Sequence, residues 1–328
     1  MINQNLKLNP KLFAADVEQE PTRFGYGRGL VIAGREDKNV VALCADLTGS
    51  TKTDDFKKEF PDRFIEVGIM EQHMASLASG LSAVGKVPFF ASYAMFSPGR
   101  NWEQIRTTIC YNNSNCKIAG AHSGVSVGPD GATHQAIEDI AITRVLPRMT
   151  VIVPCDSVET EKATIAAAKM IGPVYIRYNR EKTPIITTKE TPFEIGKAQI
   201  FREGKDITIF ACGQMVYRAL QAAEELIKEG IDAEVINIAT IKPLDEKSIM
   251  DSVQKTNCVV TVEEHQMAGG LGSVVAELLV KNYPAPMEFI GVKDRFGESG
   301  EPNELLEKFG LTAEKVKEAV KKVIGRKK

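Results

Sequence analysis

The sequence predicts an α/β protein with two consecutive domains, each built on a mostly parallel sheet. Short apolar runs alternate with amphipathic segments from Phe24 onward, the alternation stops near Arg180, and it resumes at Ile207. Such alternation is typical of parallel strands with helices on both faces of the sheet. The length of 328 residues also exceeds the usual size of one compact core, which favours two domains.

The first domain is expected over residues 21–182, after an N-terminal extension of residues 1–20. Strands are predicted at 40–47, 63–68, 86–94, 116–123, 149–156 and 173–179, and helices before Pro61, from Glu71, and over 101–113, 134–146 and 157–170. Between Met74 and Gly85 the chain is mostly Ala, Ser, Gly, Leu and Val. This composition is typical of a helix packed tightly on its neighbours.

Residues 183–195 are expected to be a linker, because this stretch is rich in proline and charge. The second domain is then expected over 196–328. Its strands are predicted at 207–213, 232–240, 257–264 and 287–292, and its helices over 215–229, near 245–253, from Gly272, and over 311–325. No convincing internal repeat is present.

Composition excludes several classes of function. The net charge of −2 has well-mixed signs, so neither nucleic acid nor an anionic membrane is indicated as a partner. No apolar run approaches the roughly 18–20 residues of a membrane helix, and residues 1–13 do not resemble a secretory signal. The six cysteines are scattered, which predicts free thiols in the cytoplasm and neither disulfides nor a metal site in this chain.

The stretch AGAHSGVSVGPDGATHQAIED, residues 119–139, carries the densest chemistry. It leaves a predicted strand, passes through four glycines and enters a predicted helix near His134. Ligands of α/β proteins bind at the carboxyl ends of strands, so His122, Asp130 and His134 are candidate ligand contacts. The alternative is a glycine-rich turn in which the histidines only cap the helix and face solvent.

Two further features need an explanation. GGLGSVVAE, residues 269–277, contains Gly-x-Gly but lacks the third glycine of the dinucleotide-binding motif. It therefore indicates a tight strand-to-helix turn more than a dinucleotide site. The N-terminus of the following helix could hold an anion. Glu71 places a carboxylate where the pattern predicts burial, just before the small-residue helix.

Three long stretches resemble the transketolase family. PDRFIEVGIMEQHMASLASGL and HSGVSVGPDGATHQAIEDIAITRVLPRMTVIVPCDSVETEKA resemble its pyrimidine-binding domain, and GVKDRFGESGEPNELLEKFGLTAEKV resembles its C-terminal domain. The resemblance extends from about Thr22 to Gly325. It implies ketol transfer between sugar phosphates, as in the pentose phosphate pathway, with thiamine diphosphate and Mg²⁺ as cofactors.

The resemblance also implies a role for each candidate residue. Glu71 would hydrogen-bond N1′ of the cofactor's aminopyrimidine, since a carboxyl shielded from water can share a proton with a ring nitrogen. Phe96, in SYAMF, would stack on the aminopyrimidine, and Trp102 would be either a second aromatic wall or part of the core. His122 and His134 would act on the bound sugar. The substrate contacts would be Arg23, Ser50, His122, Asp130, His134 and Arg180.

A full-length transketolase also has a diphosphate-binding domain with a G-D-G motif and a later Asn, which are not found in this sequence. The chain therefore resembles the small subunit of a split transketolase, whose separate partner subunit would hold Mg²⁺ and the diphosphate. A heterotetramer with two copies of each chain is expected, with the C-terminal domain serving pairing and stability. The alternatives are the β subunit of a 2-oxoacid dehydrogenase, the C-terminal part of a 1-deoxyxylulose-5-phosphate synthase-like enzyme, and a non-catalytic regulator.

Overall fold

The cores of both predicted domains are large sheets of mostly parallel strands, in a computed structural model that describes residues 1–327. The strands are β1 (Gln19–Pro21), β2 (Val40–Cys44), β3 (Phe64–Glu66), β4 (Val87–Tyr93), β5 (Lys117–Ala121), β6 (Thr150–Ile152), β7 (Val174–Arg177), β8 (Lys182–Pro184), β9 (Gln199–Arg202), β10 (Ile207–Ala211), β11 (Ala233–Asn237), β12 (Thr240–Lys242), β13 (Val259–Gln266) and β14 (Met287–Val292).

Helices connect these strands and cover the sheets. They are α1 (Thr22–Glu36), α2 (Thr48–Thr51), α3 (Asp54–Glu59), α4 (Glu71–Ala83), α5 (Trp102–Gln104), α6 (Asp139–Arg144), α7 (Ser157–Lys169), α8 (Met215–Leu226), α9 (Glu246–Thr256), α10 (Leu271–Asn282), α11 (Pro302–Lys308) and α12 (Ala313–Ile324). A π-helical segment, Ile105–Cys110, continues α5, and short 3₁₀ helices include Val125–Asp130.

The first sheet has the strand order β12-β6-β7-β5-β4-β2-β3, and all its pairs are parallel except β12 with β6. The second sheet has the order β14-β13-β10-β11-β9, with β9 as its antiparallel edge. Strands β2 and β5 are buried along their whole length, which explains why β2 is continuously apolar and why β5 is apolar or glycine after Lys117. The predicted fold class is therefore confirmed.

The two sheets are not independent units. Strand β12 comes from the second half of the chain but pairs with the edge of the first sheet. One apolar cluster contains Leu43 and Ile118 from the first sheet together with Phe210 and Ile236 from the second. The domains therefore share part of their core.

Residues 1–20 and 183–195 are more tightly bound than an extension and a linker would be. Leu8 and Leu12 are buried in the core of the second domain. The carboxylate of Asp156, at the start of α7, accepts hydrogen bonds from the backbone N–H groups of Ile186 (2.8 Å) and Thr187 (2.6 Å). The domain boundaries themselves stay predictions.

The helix predicted over 134–146 is wrong at its start, because α6 begins only at Asp139. Gly131 has a positive φ of 74°, and the backbone N–H of His134 turns back to the Gly131 carbonyl. Ala136 then forms a β-bridge with Ser123, which holds the chain extended. His134 therefore lies in the loop and does not cap a helix.

The six cysteines are all free, as the sequence predicts, and the structure places all of them in buried positions. Among residues 1–327, no helix is both long and apolar enough to cross a membrane. Helix α4 buries only one face, since Ser76 and Gly80 remain exposed, so its small residues are not all explained by packing within this chain.

Candidate active site

Most of the predicted site residues meet at the carboxyl edge of the first sheet. Tyr93 ends β4, His122 directly follows β5, and Glu71 begins α4 shortly after β3. Parallel strands end at the same edge of a sheet, so these separate stretches converge there.

Glu71 is buried because it lies on the inward-facing side of α4. It shares one face of the helix with Met74, Ala75 and Ala78, and its side chain is only 3% exposed. The first turn of a helix also favours a carboxylate, because backbone N–H groups there have no partner within the helix. Asn101 fixes this turn by donating its side-chain amide to the Glu71 carbonyl at 3.1 Å.

Arg100 forms an ion pair with the Glu71 carboxylate. Its Nη1 lies 3.2 Å from each carboxylate oxygen, and its guanidinium lies over the ring of Phe96 at 4.1 Å from the centroid. Sequence reasoning missed Arg100, because it lies between the SYAMF stretch and Trp102 and belongs to none of the motifs that carry the family resemblance. A planar, nitrogen-bearing group therefore fits between Glu71 and Phe96, since the guanidinium already contacts both.

Phe96, His122 and His134 form one aromatic cluster, and Tyr93 joins them. The Tyr93 ring stacks on His122 with centroids 4.1 Å apart, and Phe96 meets His134 edge-on at 5.3 Å. Tyr93 lies 6.0 Å from Phe96 and was also missed, although it stands in the same SYAMF stretch.

His122 is a neutral imidazole in this environment. Burial, and then the nearby charges of Arg23, Arg180 and His134, together lower its pKa to about 3. Its Nδ1 atom is buried and finds no hydrogen-bond partner within residues 1–327. A neutral imidazole can donate from one nitrogen and accept at the other, which suits a hydroxyl or carbonyl ligand.

The predicted phosphate-binding residues lie around the same cluster. Arg23 donates to the backbone carbonyl of Ser50 at 3.3 Å, and its Nε atom is buried without a partner in the described chain. Arg180 lies 3.4 Å from the carboxylate of Asp130 and donates to the Val127 carbonyl at 3.0 Å. Arg23 and Arg180 therefore bring two guanidinium groups to this edge, and Arg180 also lies 3.4 Å from the carboxylate of Glu181.

Trp102 makes a different contact. Its indole nitrogen donates to the carbonyl of Ile142 at 2.6 Å, and its ring packs against the shared apolar core. Within residues 1–327, the rings that contact Phe96 belong to Tyr93 and His134. A role for Trp102 at the aminopyrimidine stays a prediction.

The GGLG turn leads into α10, as predicted, and a carboxylate of the same chain, that of Glu263, occupies the N-terminus of this helix. The carboxylate of Glu263 accepts the backbone N–H groups of Leu271 (2.7 Å) and Gly272 (2.8 Å). Burial raises the pKa of Glu263 to about 7, although these two hydrogen bonds oppose the rise. The turn therefore has a structural explanation.

Across residues 1–327, no group of three or more His, Cys, Asp or Glu side chains is arranged to hold a metal ion. The groups that could hold an organic cofactor are the Glu71 carboxylate and the Phe96 ring.

Two family descriptions match the chain. "Transketolase, pyrimidine binding domain" matches residues 19–185, and "Transketolase, C-terminal domain" matches residues 196–316. The first match covers strands β1–β8, and the second covers strands β9–β14.

Curated proteins and a solved structure are similar over nearly their full length. The "Putative transketolase C-terminal section" of Methanocaldococcus jannaschii is 46% identical over 297 residues, 90% of this chain and 93% of that protein. A "6-deoxy-6-sulfo-D-fructose transketolase subunit" of a Clostridium species is 41% identical, over 96% of this chain and 98% of that protein. The solved structure of a "Split gene transketolase, inactive beta4 tetramer" has 48% identity and a TM-score of 0.88, with 94% of this chain and 99% of that chain covered.

Proposed function

The chain belongs to the transketolase family, and we propose that it is one subunit of a split, thiamine diphosphate-dependent transketolase. The assembled enzyme would transfer a two-carbon ketol unit from a ketose phosphate to an aldose phosphate. The observation that carries this proposal is the buried Glu71 carboxylate beside the Phe96 ring, next to the histidine cluster.

Glu71 and Phe96 would hold the aminopyrimidine of thiamine diphosphate. When bound, this cofactor supplies the nucleophilic carbon that attacks the ketose carbonyl. Glu71 would hold a proton at N1′ of the pyrimidine, and its burial keeps water from competing for that proton. Arg100 would have to leave the carboxylate first, because it makes the same two contacts.

His122, His134 and the two arginines would bind the sugar phosphate. The neutral His122 can hydrogen-bond a hydroxyl or carbonyl oxygen, and its unpartnered Nδ1 favours a polar ligand. Arg23 and Arg180 offer planar guanidinium groups, which bind phosphate in a bidentate manner.

A partner subunit would cover the exposed face beside Glu71 and would supply the Mg²⁺ and diphosphate site. Ile69 and Met70, immediately before Glu71, are 68% and 54% exposed, which is unusual for adjacent apolar side chains. The related split-gene beta4 tetramer is described as inactive, which also favours dependence on a second kind of chain. Two copies of each chain would make the active assembly.

A ketol-transfer assay tests this proposal. Xylulose 5-phosphate and ribose 5-phosphate would be supplied with thiamine diphosphate and Mg²⁺, to the chain alone and to the chain copurified with what it retains from its own cells. We expect turnover only in the second sample. Glu71→Gln should lower kcat of that sample by about 100-fold or more, since the amide cannot exchange the proton.

Glu103→Gln is the matched control, because Glu103 is an exposed carboxylate on the nearby α5 and should leave turnover unchanged. Full turnover by Glu71→Gln would contradict the proposal. Turnover with pyruvate and none with a ketose would instead favour a 1-deoxyxylulose-5-phosphate synthase-like reaction.

A modified sugar is the second candidate substrate, favoured by the 41% identity to the sulfofructose transketolase subunit over nearly the whole chain. A sulfonate is an anion that an arginine pair can bind as it binds phosphate. The same assay with 6-deoxy-6-sulfo-D-fructose as donor separates the two. Higher kcat/KM for this donor than for xylulose 5-phosphate would make the sulfonated sugar the substrate.

A further inference from the structure

The glycine-rich loop beside the histidine cluster has little regular secondary structure to fix its backbone conformation. It carries Asp130 and lies between His122 and His134, but it forms only irregular 3₁₀ turns. Such a segment needs hydrogen bonds from neighbouring side chains to keep one conformation. Positive φ angles occur at Gly124 (84°), Gly128 (82°) and Gly131 (74°).

The second domain supplies the main anchor. Glu264, on β13, is wholly buried, and one carboxylate oxygen accepts the backbone N–H of Ser126 at 2.7 Å. The other oxygen accepts the side-chain amides of Asn179 (3.1 Å) and Gln214. A methyl group on Gly124 would overlap this carboxylate, so the loop is fitted closely around it.

Gln135 completes the anchor from within the loop. Its side-chain Nε2 lies 3.0 Å from the carbonyl of Val125, 3.2 Å from that of Gly128 and 2.9 Å from that of Glu298, so its two N–H groups are shared among three acceptors. Glu298 belongs to the second domain, so both anchors connect the loop to residues far along the chain.

We propose that Glu264 is a positioning residue for the sugar-binding loop, through which the second domain sets the affinity for the sugar phosphates. This inference rests on the proposed function. A carboxylate is the group that can satisfy all these donors, because it has only acceptor sites and its hydrogen bonds are charge-assisted. An amide at the same place would offer one acceptor oxygen and turn its own N–H groups toward the remaining donors.

Glu264→Gln and Glu263→Gln form a matched pair of variants. The two glutamates are neighbours on β13, both are buried, and both accept backbone N–H groups. Only Glu264 contacts the loop, whereas Glu263 caps α10. A general loss of stability should therefore occur in both variants, and a loop-specific effect only in Glu264→Gln.

Hydrogen–deuterium exchange of the chain alone gives the first measurement. In Glu264→Gln, amides of residues 122–136 should exchange about tenfold faster than in the unchanged chain, as expected when a charge-assisted bond is lost. In Glu263→Gln the faster exchange should be confined to α10. Equal exchange of residues 122–136 in the two variants would overturn the inference.

Kinetics of the copurified enzyme give the second measurement. In Glu264→Gln, KM for both sugar phosphates should rise about tenfold, with a smaller loss of kcat and an unchanged half-saturating concentration of thiamine diphosphate. A fall in kcat with unchanged KM would also overturn the inference. If the unchanged enzyme has no ketol-transfer activity, the proposed function fails, whereas the exchange experiment still decides whether Glu264 holds the loop.

Gln135→Met removes the second anchor without adding charge. It should reproduce the faster loop exchange and the higher KM, and it replaces Glu264→Gln if that variant does not fold. Unchanged exchange in Gln135→Met would contradict the account of the loop.

Discussion

Arg100 and Glu71 show how a buried carboxylate is tolerated in the chain by itself. A carboxylate that is only 3% exposed costs free energy unless it is paired, and the guanidinium of Arg100 provides the pairing from a half-exposed position. The same guanidinium covers Phe96, so one side chain protects both surfaces that the proposed cofactor would use.

Removing Arg100 should therefore destabilise the chain in the absence of cofactor. For Arg100→Met we expect the free energy of unfolding to fall by about 1–2 kcal/mol, because the charge of Glu71 loses its partner while the methionine keeps contact with Phe96. Urea unfolding of the chain alone measures this. Arg106→Met is the control on the adjacent π-helical segment, where the arginine side chain is exposed. Equal effects of the two substitutions would contradict a special role for Arg100.

Helices α1 and α4 both contain glycine, for different physical reasons. In α1, a methyl group on Gly25 would overlap the backbone carbonyl of Ser157, so glycine permits the close approach of α1 to α7. In α4, Gly80 is exposed and has open space around it. Composition alone does not separate these two cases.

Alanine substitutions should separate them. Gly25→Ala should lower the free energy of unfolding by about 1–3 kcal/mol, because α1 must move away from α7. Gly80→Ala should raise it by up to about 1 kcal/mol, because alanine is the better helix former and nothing obstructs it. Chemical denaturation of both variants against the unchanged chain measures the difference. Destabilisation of similar size in both would show that α4 is also closely packed.

Strands were predictable from the sequence because most residues of the buried parallel strands are apolar. β2, β4 and β5 all lie within their predicted ranges, and α4 begins at Glu71 as expected. The prediction that a helix starts at His134 was wrong, because the helical sequence pattern continues through residues that do not form a helix. The glycines and the Ser123–Ala136 bridge hold these residues extended.

The grouping of the candidate residues was predictable where they follow a strand or belong to a recognisable motif. Glu71, Phe96, His122 and His134 are such residues, and their positions converge at one sheet edge. Arg100 and Glu264 carry no local signal, because their contacts depend on how distant segments fold together. A long-range partner of this kind cannot be inferred from periodicity.

The two domains share buried polar contacts as well as an apolar core. Glu159, in the first turn of α7, accepts the backbone N–H of Cys155 at 2.7 Å and the side-chain amide of Asn237 at 2.7 Å. Asn237 ends β11 in the second sheet, so this bond crosses between the domains. Burial, and then the neighbouring charge of Asp156, raises the pKa of Glu159 to about 7.

This pKa gives the stability of the whole chain a dependence on pH. Between the ordinary value of 4.5 and about 7, the folded chain keeps a proton on Glu159 that the unfolded chain has released. The stabilisation of the folded chain by this proton is therefore complete below pH 4.5 and is lost as pH rises through about 7. Glu159→Gln removes this pH dependence and keeps the hydrogen bonds to Cys155 and Asn237. The Asn237 side-chain amide would rotate by about 180°, so that its Oδ1, which has no partner now, accepts an N–H of the new glutamine.

We expect Glu159→Gln to match the unchanged chain near pH 5 and to exceed its free energy of unfolding by about 1–3 kcal/mol near pH 8. Urea unfolding at both pH values measures this. Glu161→Gln, on the same helix, removes a partly exposed pair with Arg28 and should cost about 0–1 kcal/mol. A difference between Glu159→Gln and the unchanged chain that does not vary with pH would mean that folding leaves the ionisation of Glu159 unchanged. The contact between the domains would then be held by hydrogen bonds whose strength does not depend on that proton.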